Sequence, residues 1–555
     1  MTRVVNSRIR LLLLVILAVF GALLARAAWI QTVRASSLSK LATAQTRVAV
    51  TLPAGRGTIF DAMGTPLALG EQATTVFADP RQIEHPRTDA VIAARVLGLK
   101  ERPLETLLAD RSHGFVYVER KAPPAQATAL AGKNLVGFGV YPEERRVSPQ
   151  RSVAAPVLGY AGVDNNGLAG LELELNSQLT GTPGEETVVR DPLGHIISIE
   201  NEKPAREGRN VFLTLDHTIQ ANAEQVLRAT VAKWHAKDAT AIVLDPHTGG
   251  VLAMAMEPGY DANAFPTAPR SLQVNHAVSD VYEPGSVFKV VTIAGALSDH
   301  LVTPQTSFVL PYSIRVADRV IHDAEIRPTE RMTVAQIMQR SSNVGAVTIA
   351  TTLLGQKRLQ RWISRFGFGK PTGIDFPGES AGLLPPYWSG STIGNVPIGQ
   401  GISVTAIQLA SVYAAIANGG VWTQPHLVDH VQGERPFEPS TRRIVSAHVD
   451  HQLLTMLKGV VSDVGTAAAA EIPGYSVAGK TGTAQKPGPH GYMPGKYVAT
   501  FVGMVPATDP RLVVLVTVDE PTLAIYGGVV AAPAFAQIAS FDLQYLEVPP
   551  DQPVR

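Results

Sequence analysis

Three short clusters in this sequence carry side chains that could do covalent chemistry together. The first is Tyr282-Glu283-Pro284-Gly285-Ser286-Val287-Phe288-Lys289. Pro284 suits a helix start, so Ser286 falls in a first turn, where free backbone N–H groups and the positive helix end favour developing negative charge. Lys289, three residues on, shares that helix face. A serine and a lysine so placed can act as nucleophile and base if the amine is neutral, which burial or a nearby cation would bring about. The second cluster is Ser341-Ser342-Asn343. Its outer hydroxyl and amide can project from one short loop, one relaying a proton and the other holding a substrate amide. The third, Lys480-Thr481-Gly482-Thr483, ends a strand-like run. There the glycine permits close backbone approach, and the lysine and threonines can bind a carboxylate. The first two clusters have a plain reading too: Ser-x-x-Lys is common, and Ser-Ser-Asn also reads as a helix cap.

Other motifs compete. Gly474 to Thr481 matches the phosphate-loop pattern letter for letter. Such a loop needs a helix starting at its Lys-Thr pair, whereas Tyr475 to Ala478 is strand-like and Lys486-Pro487-Gly488-Pro489 forbids a helix, so no nucleotide cofactor is expected. His426 and His430 have the spacing of two metal ligands on a helix, but Pro425 precedes them and no third ligand is apparent. They read as surface histidines, with no metal expected. Gly367-Phe368-Gly369-Lys370-Pro371-Thr372-Gly373 misses the dinucleotide spacing and reads as a turn-rich loop. The chain has no cysteine, which excludes thiol catalysis, and a net charge of +1 without basic runs, which argues against nucleic acid as a partner.

These clusters must be positioned by a chain of 555 residues, too long for one ordinary core. Arg3, Arg8 and Arg10 precede an apolar stretch from Leu11 to Ile30, interrupted by Arg26 and ending near Trp29. Its ~20 residues suffice to span a bilayer, the arginines before it place the amino terminus in the cytoplasm, and Trp29 suits the far interface. An uncleaved anchor is the favoured reading, although Ala25-Arg26-Ala27 also resembles a signal cleavage site. A helical stalk is expected from Gln31 to about Thr51, then a mixed region to Gly208 with helices near Ala90 to Leu97 and Leu104 to Asp110. A boundary near 210 follows. Beyond it, Val211 to Leu215 reads as a strand, Asp216 as a helix cap, and Ala239 to Leu244 with Gly250 to Met256 as a hairpin. Helices are expected at Val287 to Leu297, Val334 to Gln339, Val344 to Leu354 and Thr405 to Ala417. Strands return at Tyr475 to Thr483, Val498 to Val505 and Leu512 to Val518. Strands at both ends with helices between imply an α+β domain, an antiparallel sheet flanked by helices. The expected division is 1–30 cytoplasmic tip and anchor, 31–209 stalk and non-catalytic pedestal, 210–548 catalytic domain, and 549–555 tail.

In this order, Ser-x-x-Lys, Ser-x-Asn and Lys-Thr-Gly resemble the signature of penicillin-binding proteins and serine β-lactamases. The likeness extends to Asp245 to Gly249, Gly399 to Thr405 and Tyr497 to Pro506. Upstream, Arg56-Gly57-Thr58-Ile59-Phe60-Asp61 and Gly167-Leu168-Ala169-Gly170-Leu171-Glu172 resemble the elongated, dimerisation-like pedestal of class B members. Tyr282 to Ser286, Ser341 to Gly345, Pro506 to Arg511 and Tyr526-Gly527-Gly528 resemble the division-specific branch, the penicillin-binding protein 3 family. Two pedestal motifs depart from its pattern, at Asp61-Ala62-Met63-Gly64 and at Arg146 to Arg151.

The resemblance implies a D,D-transpeptidase that cross-links peptidoglycan stem peptides at D-alanyl-D-alanine during septation. Ser286 would be the nucleophile and Lys289 its base, with Ser341 and Lys480 returning a proton and Asn343 orienting the acyl chain. The oxyanion hole would be the N–H groups of Ser286 and Thr483. Lys480, Thr481 and Thr483, with Gly482 between them, would face the substrate carboxylate, and Lys480 would help keep Lys289 neutral. No cofactor is implied. β-Lactams would acylate Ser286; partners would include a septal glycosyltransferase and other division proteins, with the catalytic domain on the periplasmic face of the inner membrane. A β-lactamase lacks such a pedestal, and a carboxypeptidase differs only in its acceptor. An elongation-specific enzyme and a non-enzymatic penicillin sensor are competing readings of the same motifs.

Overall fold

A computed structural model describes residues 2–190, 196–489 and 491–553. The chain forms two compact units. The first joins residues 1–55 to 181–208. Its helix Thr2–Thr32 is long and apolar enough to cross a membrane by length and composition. At its end the guanidinium groups of Arg26 and Arg34 lie 4.9 and 4.8 Å from the Trp29 ring, a cation–π pairing suited to an interfacial anchor. The expected stalk is corrected here. It is helical over Ala35–Thr46, but Arg47–Leu52 is a strand. The alternating β-branched run Val48-Ala49-Val50-Thr51 favours the extended form, and that strand pairs antiparallel with Gly184–Arg190, which pairs with Ile196–Lys203.

The second unit holds residues 56–180 and 209–555. Its pedestal portion is built on the long strand Pro66–Ala78, paired with Val116–Ala122 and Phe138–Val147. Helices at Pro86–Leu97 and Glu101–Ala109 pack nearby, the first entered through Pro86 and closed by Gly98. Strand Val211–Leu213 runs parallel to Ile59–Phe60 on one side and antiparallel to Val428–Val431 on the other. One sheet therefore stitches pedestal strands to a strand from late in the catalytic domain.

The catalytic domain is α+β. Helix α1 (His217–Trp234) starts at Asp216, whose carboxylate accepts from the N–H groups of Thr218 and Ile219. Strands β1 (Asp238–Leu244) and β2 (Val251–Glu257) form the expected hairpin. With β3 (Ala478–Gly488), β4 (Gly491–Val505) and β5 (Leu512–Asp519) they make a five-stranded antiparallel sheet ordered β2-β1-β5-β4-β3. The continuous apolar run of β5 places it at the centre, covered on both faces. Helix α1 and the carboxyl-terminal helix Ala532–Tyr545 pack together on the sheet, where Phe535 meets Phe501 edge-on at 4.8 Å. Helix Ala406–Ala417, buried along its whole length, packs separately against β1, β4 and β5. Two expected helices are divided. Gly285–Phe288 is a tight 3₁₀ turn before the helix Lys289–Ser298, and Asn343–Ile349 continues as a wider π-type turn, Ala350–Leu354.

Candidate active site

The 3₁₀ turn carries Ser286 and hands over to the α-helix at Lys289, whose side chain is fully buried. This turn is clamped from three directions. Gly399 lends its carbonyl to the Gly285 N–H at 3.0 Å, and the Tyr413 hydroxyl donates to the Val287 carbonyl at 2.8 Å. The buried Glu283 carboxylate accepts from the Gly401 N–H at 2.8 Å and the Tyr492 hydroxyl at 2.9 Å. Gly399 must be glycine: its φ is +78°, and a Cβ there would sit 2.1 Å from the Gly285 carbonyl oxygen. The Gly399 to Thr405 stretch thus has a mechanical purpose, pressing the serine turn against β3.

Around Lys289 the contacts sort by chemistry. Its Nζ meets the Ser341 carbonyl oxygen and lies 2.7 Å from Asn343 Oδ1 and 2.9 Å from Ser286 Oγ. A neutral amine has two N–H bonds and one lone pair. The two carbonyl-type oxygens can only accept, so they take the two N–H bonds, and the lone pair is left for the Ser286 hydroxyl. Burial, and next the charge of Lys480, push the proton affinity of Lys289 well below its ordinary value, against an opposing pull from Asp323. Lys480, also fully buried, is brought down to about 7 by burial. The Ser341 hydroxyl bridges the two amines, 3.2 Å from Lys289 Nζ and 2.8 Å from Lys480 Nζ. Ser286, Lys289, Ser341 and Lys480 thus stand in a row, with the 3.2 Å contact of Lys289 the longest in it.

Ser341 holds this place in a left-handed backbone conformation, φ +57°, unusual for a serine. What fixes it is the turn's other side. The buried Asp323 carboxylate accepts from the Ser342 hydroxyl at 3.0 Å and the Val344 N–H at 2.9 Å, while Arg327 grips Asp323 and three backbone carbonyls. The Asn343 amide donates to the His322 carbonyl, 3.0 Å away.

On strand β3, Gly482 lets the backbone pass close to Pro284: a Cβ there would meet the Pro284 carbonyl at 2.9 Å. Ser286 and Thr483 are thereby neighbours, as two donors to one oxygen must be. Thr481 pairs with the Thr466 hydroxyl at 2.8 Å, and Thr483 Oγ1 accepts from the Gly527 N–H at 3.2 Å. All eight residues singled out by motif, from Ser286 to Thr483, are therefore brought into one neighbourhood, where hydrogen bonds link Ser286, Lys289, Ser341, Asn343 and Lys480. Asp323, Thr466 and the role of Glu283 were missed. No local pattern announces them, because each acts on a motif far away in sequence.

One expectation about the histidines is corrected. His426 is buried against Phe437 rather than on the surface, whereas His430 stays partly exposed and stacks on Phe212 at 4.4 Å. Neither is on a helix; they precede and occupy the strand Val428–Val431. Of the phosphate-loop match only Ala478 to Thr481 lies in a strand, which begins later than the expected Tyr475, and its lysine points to Ser341. A cluster of Asp61, Asp216 and His217 has the proximity of a metal site. Its carboxylate oxygens already accept from N–H or O–H groups, of Met63, Thr65 and His217 on Asp61 and of Thr218, Ile219 and Tyr545 on Asp216. The cluster ties the pedestal's Asp61 to the start of α1.

Comparison with known proteins agrees with this geometry. The penicillin binding protein transpeptidase domain family matches residues 239–540, and the penicillin-binding protein dimerisation domain family matches residues 51–213. The chain is 33% identical to the probable peptidoglycan D,D-transpeptidase PenA of Neisseria meningitidis, over 99% of this chain and 94% of that one. It is 32% identical to the peptidoglycan D,D-transpeptidase FtsI of Escherichia coli, over 99% and 93%. Its fold is similar to the crystal structure of penicillin binding protein 3 from Mycobacterium tuberculosis complexed with ampicillin. That likeness has a TM-score of 0.70 and 31% identity, and covers 90% of this chain and 97% of that one.

Proposed function

Since the chain belongs to the class B penicillin-binding proteins and is a peptidoglycan D,D-transpeptidase, we propose that it cross-links the septal wall through Ser286. The carrying observation is the fully buried Lys289 amine, 2.9 Å from Ser286 Oγ with both N–H bonds directed elsewhere. Ser286 attacks the penultimate D-alanine carbonyl as Lys289 takes its proton. The oxyanion forms beside the Ser286 and Thr483 N–H groups. Collapse expels the terminal D-alanine, whose amine receives a proton relayed through Ser341 from Lys480. An amine of a neighbouring stem then attacks the acyl-enzyme and releases Ser286. Thr481, Thr483 and Lys480 face the terminal carboxylate, and Asn343 orients the acyl chain.

The septal assignment rests on the similarity to FtsI and on the division-type motifs. With it go an amino terminus in the cytoplasm, a catalytic domain in the periplasm, and partnership with a septal glycosyltransferase. Two measurements test the proposal. Intact mass after β-lactam treatment should show one stable adduct on the wild type and none on Ser286→Ala; an adduct on the variant removes Ser286 from its role. A tagged copy should concentrate at midcell in dividing cells, and even distribution along the sidewall would assign it to elongation instead.

A further inference from the structure

A cavity lies in the catalytic domain, lined by none of the residues used above for catalysis. Between the end of the helix Gly355–Phe366 and the paired strands Val421–Thr423 and Thr441–Arg443 opens a cavity of about 300 Å³. That is the lower end of the usual range for small-molecule cavities, enough for one ring and its substituents. Phe366, Phe368 and Trp422 supply flat apolar wall, and Lys370 and Arg442 supply positive charge. Arg442 is stacked, its Cζ 4.6 Å from the Trp422 ring centroid, and one N–H goes to the Arg365 carbonyl. The rest of its planar fork is free to meet an anion. Gly367 makes room for that fork: a Cβ there would lie 2.7 Å from Arg442 Nη2, and its φ of +97° independently demands glycine.

The charge is uncompensated. Among the described residues, none of Arg365, Lys370 and Arg442 has a carboxylate partner. The nearby Glu379 carboxylate is taken by the N–H groups of Thr372 and Gly373 and the Thr372 hydroxyl. The neutral wall is already satisfied as well. Ser411 donates to the Gln408 carbonyl, and the Gln408 amide donates to the carbonyls of Lys370 and Ala381. A ligand's polar end is therefore met by the two cations and little else, while its body meets aromatic rings.

We propose that this cavity binds a small organic anion, a carboxylate or phosphate carried on a flat apolar group, with the acid head at Arg442 and Lys370. The test uses the full-length protein in detergent, with Ser286 first acylated by penicillin so that the catalytic cleft is filled. Binding of 4-fluorobenzoate, 4-fluorophenyl phosphate and the neutral 4-fluorobenzamide is followed by ¹⁹F NMR. One or both anions should bind saturably, with the tighter identifying the head group, and at least about tenfold more tightly than the amide, the scale of a charge-assisted contact. Arg442→Gln and, separately, the exposed Lys370→Gln should each weaken binding several-fold while penicillin acylation proceeds at the wild-type rate, which shows the fold intact. Equal affinity for the amide, unchanged affinity in both variants, or no binding of either anion at ~10 mM overturns the proposal.

Discussion

Two pairs of buried basic residues sit in this molecule, and the protein treats them oppositely. In the pedestal, Arg56 and Arg146 share Glu172 at 2.6 Å each, with all three side chains buried. Arg56 also donates to the Asn165 and Glu172 carbonyls and Arg146 to that of Gly57, drawing the early, middle and late pedestal together. In the catalytic cleft, Lys289 and Lys480 share a serine hydroxyl, and no carboxylate lies within hydrogen-bonding distance of either amine among the described residues. Arginine keeps its proton at any ordinary pH, so burying two of them requires a counter-charge. Lysine can give its proton up, so burial without a counter-charge produces a base. The same cost of desolvation yields a structural lock in one place and a reactive amine in the other.

Three substitutions would break or sharpen that contrast. Lys289→Arg keeps a nitrogen donor near Ser286 but removes the ability to be neutral. β-Lactam acylation, followed by the rate of adduct formation, should fall by ~10²–10⁴-fold, the usual worth of a positioned base. A variant acylating near the wild-type rate would mean that neutrality of this side chain is irrelevant.

Glu172→Gln does the converse, removing the carboxylate that two buried guanidinium groups share and leaving them the weaker influence of Glu144. Global stability in denaturant should drop by about 3–5 kcal/mol. Protein that remains folded should still be acylated at the wild-type rate, because Glu172 touches no catalytic residue. A stable variant would show that water or rearrangement can replace the carboxylate.

The smallest effect concerns pH. Acylation should rise with pH as Lys289 loses its proton, and the charge of Lys480 lowers the pH at which this happens. Lys480→Gln removes that charge, so Lys289 holds its proton more tightly and the rising limb should move to higher pH. Rates measured across pH with saturating β-lactam separate this from weakened carboxylate binding. A limb that stays in place would leave burial alone responsible for the neutral amine.

Much of this was written locally. Ser-x-x-Lys, Ser-x-Asn and Lys-Thr-Gly are short-range patterns, ordinary one by one, and it is their occurrence together in this order that marks them. Asp216 names a helix start, Leu512 to Val518 names a strand, and Leu11 to Ile30 names a membrane-length helix, since side-chain periodicity and capping are properties of neighbours in sequence. What joins those pieces is not local. Arg47–Leu52 becomes a strand because a segment more than 130 residues later pairs with it, against the expectation of a continuous stalk helix. His426 becomes buried because Phe437 folds over it. Asp323 anchors Ser342, Thr466 meets Thr481, and Glu283 gathers Gly401 and Tyr492, contacts whose partners sequence proximity does not select. The sequence alone thus nominated the groups proposed for the chemistry. Only the tertiary structure decided which lysine is placed to give up its proton, because desolvation and the direction of a lone pair depend on everything packed around the amine.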